Sequence, residues 1–358
     1  MRQKLPDFPW DALAPYGAIA KKHPQGAIDL SVGTPVDPTP EFIQKAFQAA
    51  SNSPSYPVTV GTPELREAIT TWAKKYLGAT GDFGVLPLIG SKEFVAWLPT
   101  FIEAQSVLYP DVAYPTYLVG SLLAEADATP VSLDASQWPQ ADMAWVNSPS
   151  NPTGRVHSES EFKAAIDWSR RNKSVVVSDE CYLEFGDSVK PTSILNYTGG
   201  DNTNILAVHS LSKRSSMAGY RAAFIVGDPA LIARILEVRK HAGMMVPLPV
   251  QVAMIAALSD EDHVEQQRAR YNSRRATLAP ALQAAGFTIE NSVAGLYIWA
   301  TRHEDCWDSV SWLAELGIIA TPGVFYGDLG ATHIRIAMTA TDAQISEAAA
   351  RITSKVGA

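Results

Sequence analysis

The chain has 358 residues, 46% of them apolar and 18% charged. It is long and apolar enough for one large domain plus a smaller one, which excludes a disordered chain. With 29 Lys and Arg against 37 Asp and Glu, the net charge of −8 offers no basic surface for nucleic acid and no support for an anionic-membrane partner. Two cysteines, Cys181 and Cys306, are too few for a secreted disulfide scaffold and read as free thiols. The first twenty residues carry Pro6, Asp7, Pro9, Asp11 and Pro15 and no continuous apolar stretch, so no signal peptide is expected. Residues 246–258 are apolar but interrupted by Pro247, Pro249 and Gln251, too short a run for a bilayer. The expectation is a soluble, cytoplasmic protein.

Helical spacing begins at Phe42, after the turn-rich run from Gly33 to Pro40. Thr62 can cap a helix whose first position is Pro63. A second helix start follows Leu86–Gly90, near Ser91. Ser106–Tyr109 and Ala144–Asn147 read as short buried strands. Ser174–Asp179 is β-branched and then ends in charge, as does a strand buried on both faces. Ile205–Ser210 and Ala222–Gly227 repeat the pattern, with helical connectors over 159–171 and 231–240. Such alternation predicts an α/β fold with a mainly parallel sheet covered by helices, its ligands at the carboxyl ends of the strands. The last third differs: a long helical stretch over 265–285 precedes short strands around Tyr297–Trp299 and His333–Ile336. The expected organisation is a large domain over 40–245, and a smaller α+β domain formed by 246–358 with 1–39 as an N-terminal arm.

Polar residues cluster at the strand ends. Ser210-Leu211-Ser212-Lys213 follows a strand, with Arg221 eight residues after the lysine. A lysine there is uninformative alone. Two hydroxyls and a guanidinium beside it are natural phosphate partners, and an amine next to an anion site suits a phosphorylated aldehyde cofactor. Asp179-Glu180-Cys181-Tyr182 closes the Val-rich strand. Its bland reading is a strand-end cap; its chemical reading is a carboxylate for a pyridine nitrogen and a phenol close by. Asn151-Pro152-Thr153-Gly154 is a tight turn whose asparagine amide can face the same ligand.

In this order, Asn-Pro-Thr-Gly, Asp-Glu-x-Tyr and Ser-x-Ser-Lys with its later Arg resemble the signature of class I/II, fold-type I aminotransferases. The resemblance runs from Gly33 to Arg335. It implies the PLP-dependent transferase fold, with a mainly parallel seven-stranded sheet in the large domain, and pyridoxal 5'-phosphate held as a Schiff base on Lys213. It implies that Asp179 partners the ring nitrogen, with Tyr182 and Asn151 at the ring oxygen. Ser91 and Lys92 at the helix start, with Ser210, Ser212 and Arg221, take the phosphate. Tyr114 matches the aromatic that stacks on the ring, Tyr117 being the alternative one turn on. Tyr56 resembles a tyrosine that reaches the partner's phosphate across a homodimer interface. Arg335, the Gly33 backbone and Asn151 would bind the substrate α-carboxylate. No metal is implied.

The implied reaction is ping-pong transamination between an amino acid and a keto acid, with Lys213 as general base and acid. The stretches around Tyr114 and Lys213 look similar to actinobacterial succinyldiaminopimelate aminotransferases, which implies glutamate and N-succinyl-2-amino-6-oxopimelate as substrates. Lys92, Arg214 and Arg155 are available for their side-chain carboxylates. Alternatives are an aminotransferase of aspartate, aromatic or alanine type, a β-lyase on the same fold, or a non-catalytic regulatory relative. A regulatory relative would normally bring a DNA-binding domain and a basic extension, which this sequence lacks.

Overall fold

The computed structural model describes residues 5–356. The first strand, β1 (Ile28–Asp29), belongs to the smaller body. The large sheet follows, with β2 (Gly84–Ile89), β3 (Ser106–Pro110), β4 (Asp127–Val131), β5 (Met143–Asn147), β6 (Val175–Asp179), β7 (Ile205–Ser210) and β8 (Ala222–Gly227). Their order across the sheet is β2-β8-β7-β6-β5-β3-β4. Every neighbouring pair is parallel except those of β8, which runs antiparallel to both β2 and β7.

The central strands are apolar on both faces because both faces are covered. Ile205 and Ala207 of β7, with Phe224 and Val226 of β8, join one core with Leu65, Ile69 and Trp72 of the helix Pro63–Trp72. Leu206 and Val208, with Ala223 and Ile225, join the opposite core with Phe94, Val95 and Leu98 of the helix Ser91–Phe101. Period-2 alternation here sorts residues between two cores, not between core and water. Helix starts follow local chemistry. Thr62 Oγ1 accepts from the Leu65 N–H at 3.2 Å, with Pro63 in the first turn. A capping box of Ser158 and Glu161 opens Glu159–Asn172.

The smaller body has its own core. It contains β9 (Thr288–Ile289), β10 (Tyr297–Thr301), β11 (Ile318–Ile319), β12 (Thr321–Pro322) and β13 (His333–Ala337). Strands β12-β13-β10-β9 form an antiparallel sheet, and β1 pairs in parallel with β11. The long helix Asp262–Ala284 covers it together with Asp342–Val356. The N-terminal arm packs here: Leu13 enters this core, and Tyr16 stacks on Trp307 at 5.2 Å.

The helix Leu248–Leu258 lies beyond the expected boundary at 246, yet it buries Val250, Ala253, Met254 and Ala257 in a core of the large sheet. It packs against Glu41–Ala49 and Pro63–Trp72. We propose that the division falls instead at residues 259–261, where the chain bends before the long helix.

Phe224 is fully buried between Trp72 and His209, with ring centroids 5.5 Å from each. Phe224→Ala is expected to cost about 3–5 kcal/mol by loss of burial and creation of a cavity. The check is the denaturant midpoint of the variant against the parent chain.

Candidate active site

Parallel register brings the polar strand ends together. Asn147 at the end of β5 is aligned with Asp179 at the end of β6, and Asp179 with Val208 of β7. Lys213 follows on a single helical turn, Leu211–Arg214. These strand ends and turns line a cavity of about 590 Å³, within the size range of ligand sites. Gly33, Ser91, Lys92 and Tyr114 line it, as do Asn151, Asp179 and Tyr182. Ser210, Ser212, Lys213, Arg221 and Arg335 complete the sequence-predicted set. Tyr56 stands apart, 93% exposed.

Asp179 is buried, and burial pushes its carboxyl pKa up despite the hydrogen bonds that oppose the shift. Its Oδ2 accepts from Tyr117 Oη at 2.9 Å and its Oδ1 from the Cys181 N–H at 3.2 Å. Tyr117 lies under the cavity floor, stacked on Trp145 with centroids 4.9 Å apart. Of these two tyrosines, Tyr114 lines the cavity itself. Asn147 fixes the neighbouring loop: its amide donates to the Asp179 carbonyl at 2.9 Å and accepts from the Asn151 N–H at 2.7 Å.

Burial lowers the Lys213 pKa to about 8, and the nearby Arg335 and Arg221 guanidiniums push the same way. An amine in that range is roughly one-tenth neutral at pH 7, far more than an ordinary lysine, and the neutral form is what a nucleophile or general base needs. Ser210 caps the lysine's turn, accepting from the Ser212 N–H at 3.2 Å and donating to Ser212 Oγ at 2.9 Å.

The helix Ser91–Phe101 opens on Gly90, with φ 78 and ψ 152 and no side-chain cap. Its first-turn N–H groups are therefore left available to an anion. A Cβ on Gly90 would lie 2.2 Å from Arg221 Nη2, so the guanidinium sits against that helix start. Lys92 stands beside it, its pKa lowered by partial desolvation and then by Arg221.

On the opposite wall Arg335 is 2% exposed. It donates to Asn151 Oδ1 at 2.8 Å and to the Ser31 carbonyl at 2.5 Å. Its guanidinium lies 4.0 Å from the Tyr297 ring centre. Its Nε has no partner among the described residues. Tyr297 Oη is 3.1 Å from Tyr182 Oη, and a Cβ on Gly33 would meet Tyr297 Oη at 2.2 Å. Glycine at 33 is thus a packing requirement.

Sequence reasoning missed Tyr297, Asn147 and the arm residues Phe8 and Trp10, all in the cavity wall. Tyr297 reads only as a strand aromatic, and only the Asn147-to-Asn151 spacing hinted at a buried loop anchor. Two of the three cations considered for substrate carboxylates are committed elsewhere. Arg214 is buried against Glu261 at 2.7 Å and Glu184 at 3.5 Å, and Arg155 pairs with Glu161. Only Lys92 of the three lines the cavity.

The family model for aminotransferase class I and II matches residues 25–352. The chain is 50% identical to the 4-dedimethylamino-4-oxo-anhydrotetracycline transaminase OxyQ of Streptomyces rimosus, across 98% of this chain and 100% of that one. It is 52% identical to the probable aminotransferase Rv1178 of Mycobacterium tuberculosis, across 98% and 85%. It is 34% identical to an LL-diaminopimelate aminotransferase of Dehalococcoides mccartyi, across 94% and 93%. An aminotransferase structure from Staphylococcus aureus superposes with a TM-score of 0.89 at 27% identity, covering 99% of this chain and 98% of that one. The chain belongs to the class I and II aminotransferases, enzymes that use pyridoxal 5'-phosphate. The cavity fits that cofactor: an uncapped helix start beside a guanidinium for the phosphate, a buried carboxylate for the ring nitrogen, and an amine of lowered pKa for the aldehyde.

Gly90→Ala would force a side chain into a glycine-only backbone region and against Arg221. The strain is on the order of 1–3 kcal/mol. The expected outcome is a lower urea midpoint and faster loss of cofactor on dialysis, both measurable by absorbance and circular dichroism.

Proposed function

We propose that this chain transfers an amino group between glutamate and N-succinyl-2-amino-6-oxopimelate, with Lys213 as the cofactor-bearing, proton-moving amine. The observation that carries the reading is the Lys213 amine, brought to a pKa of about 8 by burial, in one cavity with Asp179 and the uncapped helix start.

The roles follow from the chemistry of each group. The N–H groups of Ser91 and Lys92, with Ser210, Ser212 and Arg221, hold the phosphate. Tyr114 supports the ring face. Asp179 keeps the ring nitrogen protonated; Tyr117 and the Cys181 N–H orient its carboxylate. Tyr182 and Asn151 donate to the ring oxygen. Arg335 binds the substrate α-carboxylate with its remaining donor capacity, aided by Asn151 and the Gly33 backbone. When bound, the cofactor supplies an aldehyde for the amino group and an electron-withdrawing ring that acidifies the substrate α-carbon. Lys213 Nζ would take the proton from the substrate α-carbon and deliver it to the carbon that carried the aldehyde. The apolar wall around Trp10 and Val95 limits water at that proton. Exposed Tyr56 and Val58 support a homodimer in which Tyr56 reaches the partner's phosphate.

The succinylated acceptor is supported by the stretches around Tyr114 and Lys213 and by relatives that act on the diaminopimelate skeleton itself. A second reading is a bulky ring ketone as acceptor. It is favoured by the apolar lining of the cavity and by the Streptomyces relative.

Two measurements check these readings. Uptake of pyridoxal phosphate by cofactor-free protein should accelerate as pH rises through about 8, because only the neutral Lys213 amine attacks; a rate flat in pH would contradict this role. Absorbance titration of the loaded enzyme separates the substrates. Conversion of the yellow band by both glutamate and N-succinyl-LL-diaminopimelate supports the first reading. Conversion by glutamate alone turns attention to ring ketones. Lys213→Ala should lose transamination entirely.

A further inference from the structure

Lys213 stands on a helix of only four residues, too short to hold itself rigid. The three residues after it are each tied to segments remote in sequence. Arg214 Nη2 donates to Glu261 Oε1 at 2.7 Å. Ser215 Oγ lies 2.8 Å from His263 Nε2, and His263 Nδ1 lies 2.6 Å from Asp260 Oδ1. The Ser216 carbonyl accepts from Thr39 Oγ1 at 2.6 Å.

These partners share a location. Thr39 and the stretch 260–263 lie where the chain passes between the large-sheet body and the smaller one. Asp37, beside the first crossing, accepts from Arg274 and Gln267 of the long helix, and Arg274 also pairs with Asp342. Both crossings therefore grip the turn that carries the lysine. An ionised Asp260 only accepts, so the proton stays on Nδ1, which donates to Asp260 and leaves Nε2 to accept from the serine. The atoms have the order of a hydrolytic triad, but Ser215 is 1% exposed, so the chain holds backbone in place instead of offering a nucleophile.

We propose that the Asp260–His263–Ser215 chain positions Lys213, fixing the amine's line of approach to the substrate α-carbon. The proposal rests on Lys213 being the cofactor-bearing amine. His263 and Ser215 act through the lysine's turn and touch no substrate.

The test uses loaded enzyme with His263→Phe, His263→Gln and Ser215→Ala. In His263→Phe the rate constant of the first half-reaction with glutamate should fall about tenfold, the scale of a small misplacement of a reacting group, while the glutamate dissociation constant holds. The pH midpoint of the bound cofactor's absorbance, read without substrate, should shift. His263→Gln, which can still reach Ser215, should recover most of both. The double variant of Ser215→Ala with His263→Phe should be no worse than the more affected single one, since the two residues act in one chain. An unchanged midpoint and half-reaction in variants that only melt earlier would overturn the proposal, as would additive losses. If His263→Phe does not fold, Ser215→Ala supplies the same readouts. Lys213→Ala checks the underlying assignment separately: continued transamination by that variant removes the cofactor-bearing lysine, whatever His263 does.

Discussion

A carboxylate withdrawn from water at the end of β6 constrains most of what surrounds it. Asp179 would favour its neutral form in an apolar pocket, and burial does push it that way. The phenol of Tyr117 and the N–H of Cys181 oppose that tendency, and each needs its own support. Tyr117 must enter from the helix Thr116–Leu123 beneath the cavity, and the indole of Trp145 fixes its ring from below. Cys181 must begin a turn directly after the strand. The β5 register then delivers Asn147 to the Asp179 carbonyl and, through it, Asn151 to the cavity.

Much of this was legible where local chemistry decides. The Thr62–Pro63 helix start, the β-branched run ending at Asp179 and the Ser-Lys turn after β7 each carry their own signal, and the structure has them as read. Other parts are set by partners. Strand β4 escaped notice because it is a half-exposed edge strand, with Pro130 in place of an apolar run. The helix Leu248–Leu258 hid among prolines that turn out to sit at its start, so its packing on the large sheet could not be read from the segment.

The same distinction governs the site. Residues within short motifs could be assigned together because the motif fixes their relative positions. Tyr117 and Tyr114 could not be separated from spacing, since which ring faces the cavity depends on Trp145 and Asp179 across the sheet. Tyr297 carries no motif; its importance comes from Gly33, Tyr182 and Arg335 meeting around its ring. The fates of Arg214 and Arg155 were equally unreadable. A charge in a sequence does not disclose whether its counter-ion is a substrate, water or a glutamate on a distant element.

Strand β8 runs against its neighbours, and this reversal shapes how the site can vary. Because β7 leaves the sheet where β8 enters, Ser210 stands opposite Ala223. One short stretch of chain therefore delivers both the amine of Lys213 and the guanidinium of Arg221 to the same rim. A parallel β8 would have needed a crossover and would have started at the far edge. The linkage makes the stretch intolerant of changes in length: a residue added between Met217 and Tyr220 would displace the arginine from the helix start at Gly90 while leaving the lysine in place. Diversity among enzymes built this way is then expected to collect in the arm and the far wall around Trp10, where the polypeptide is free to lengthen.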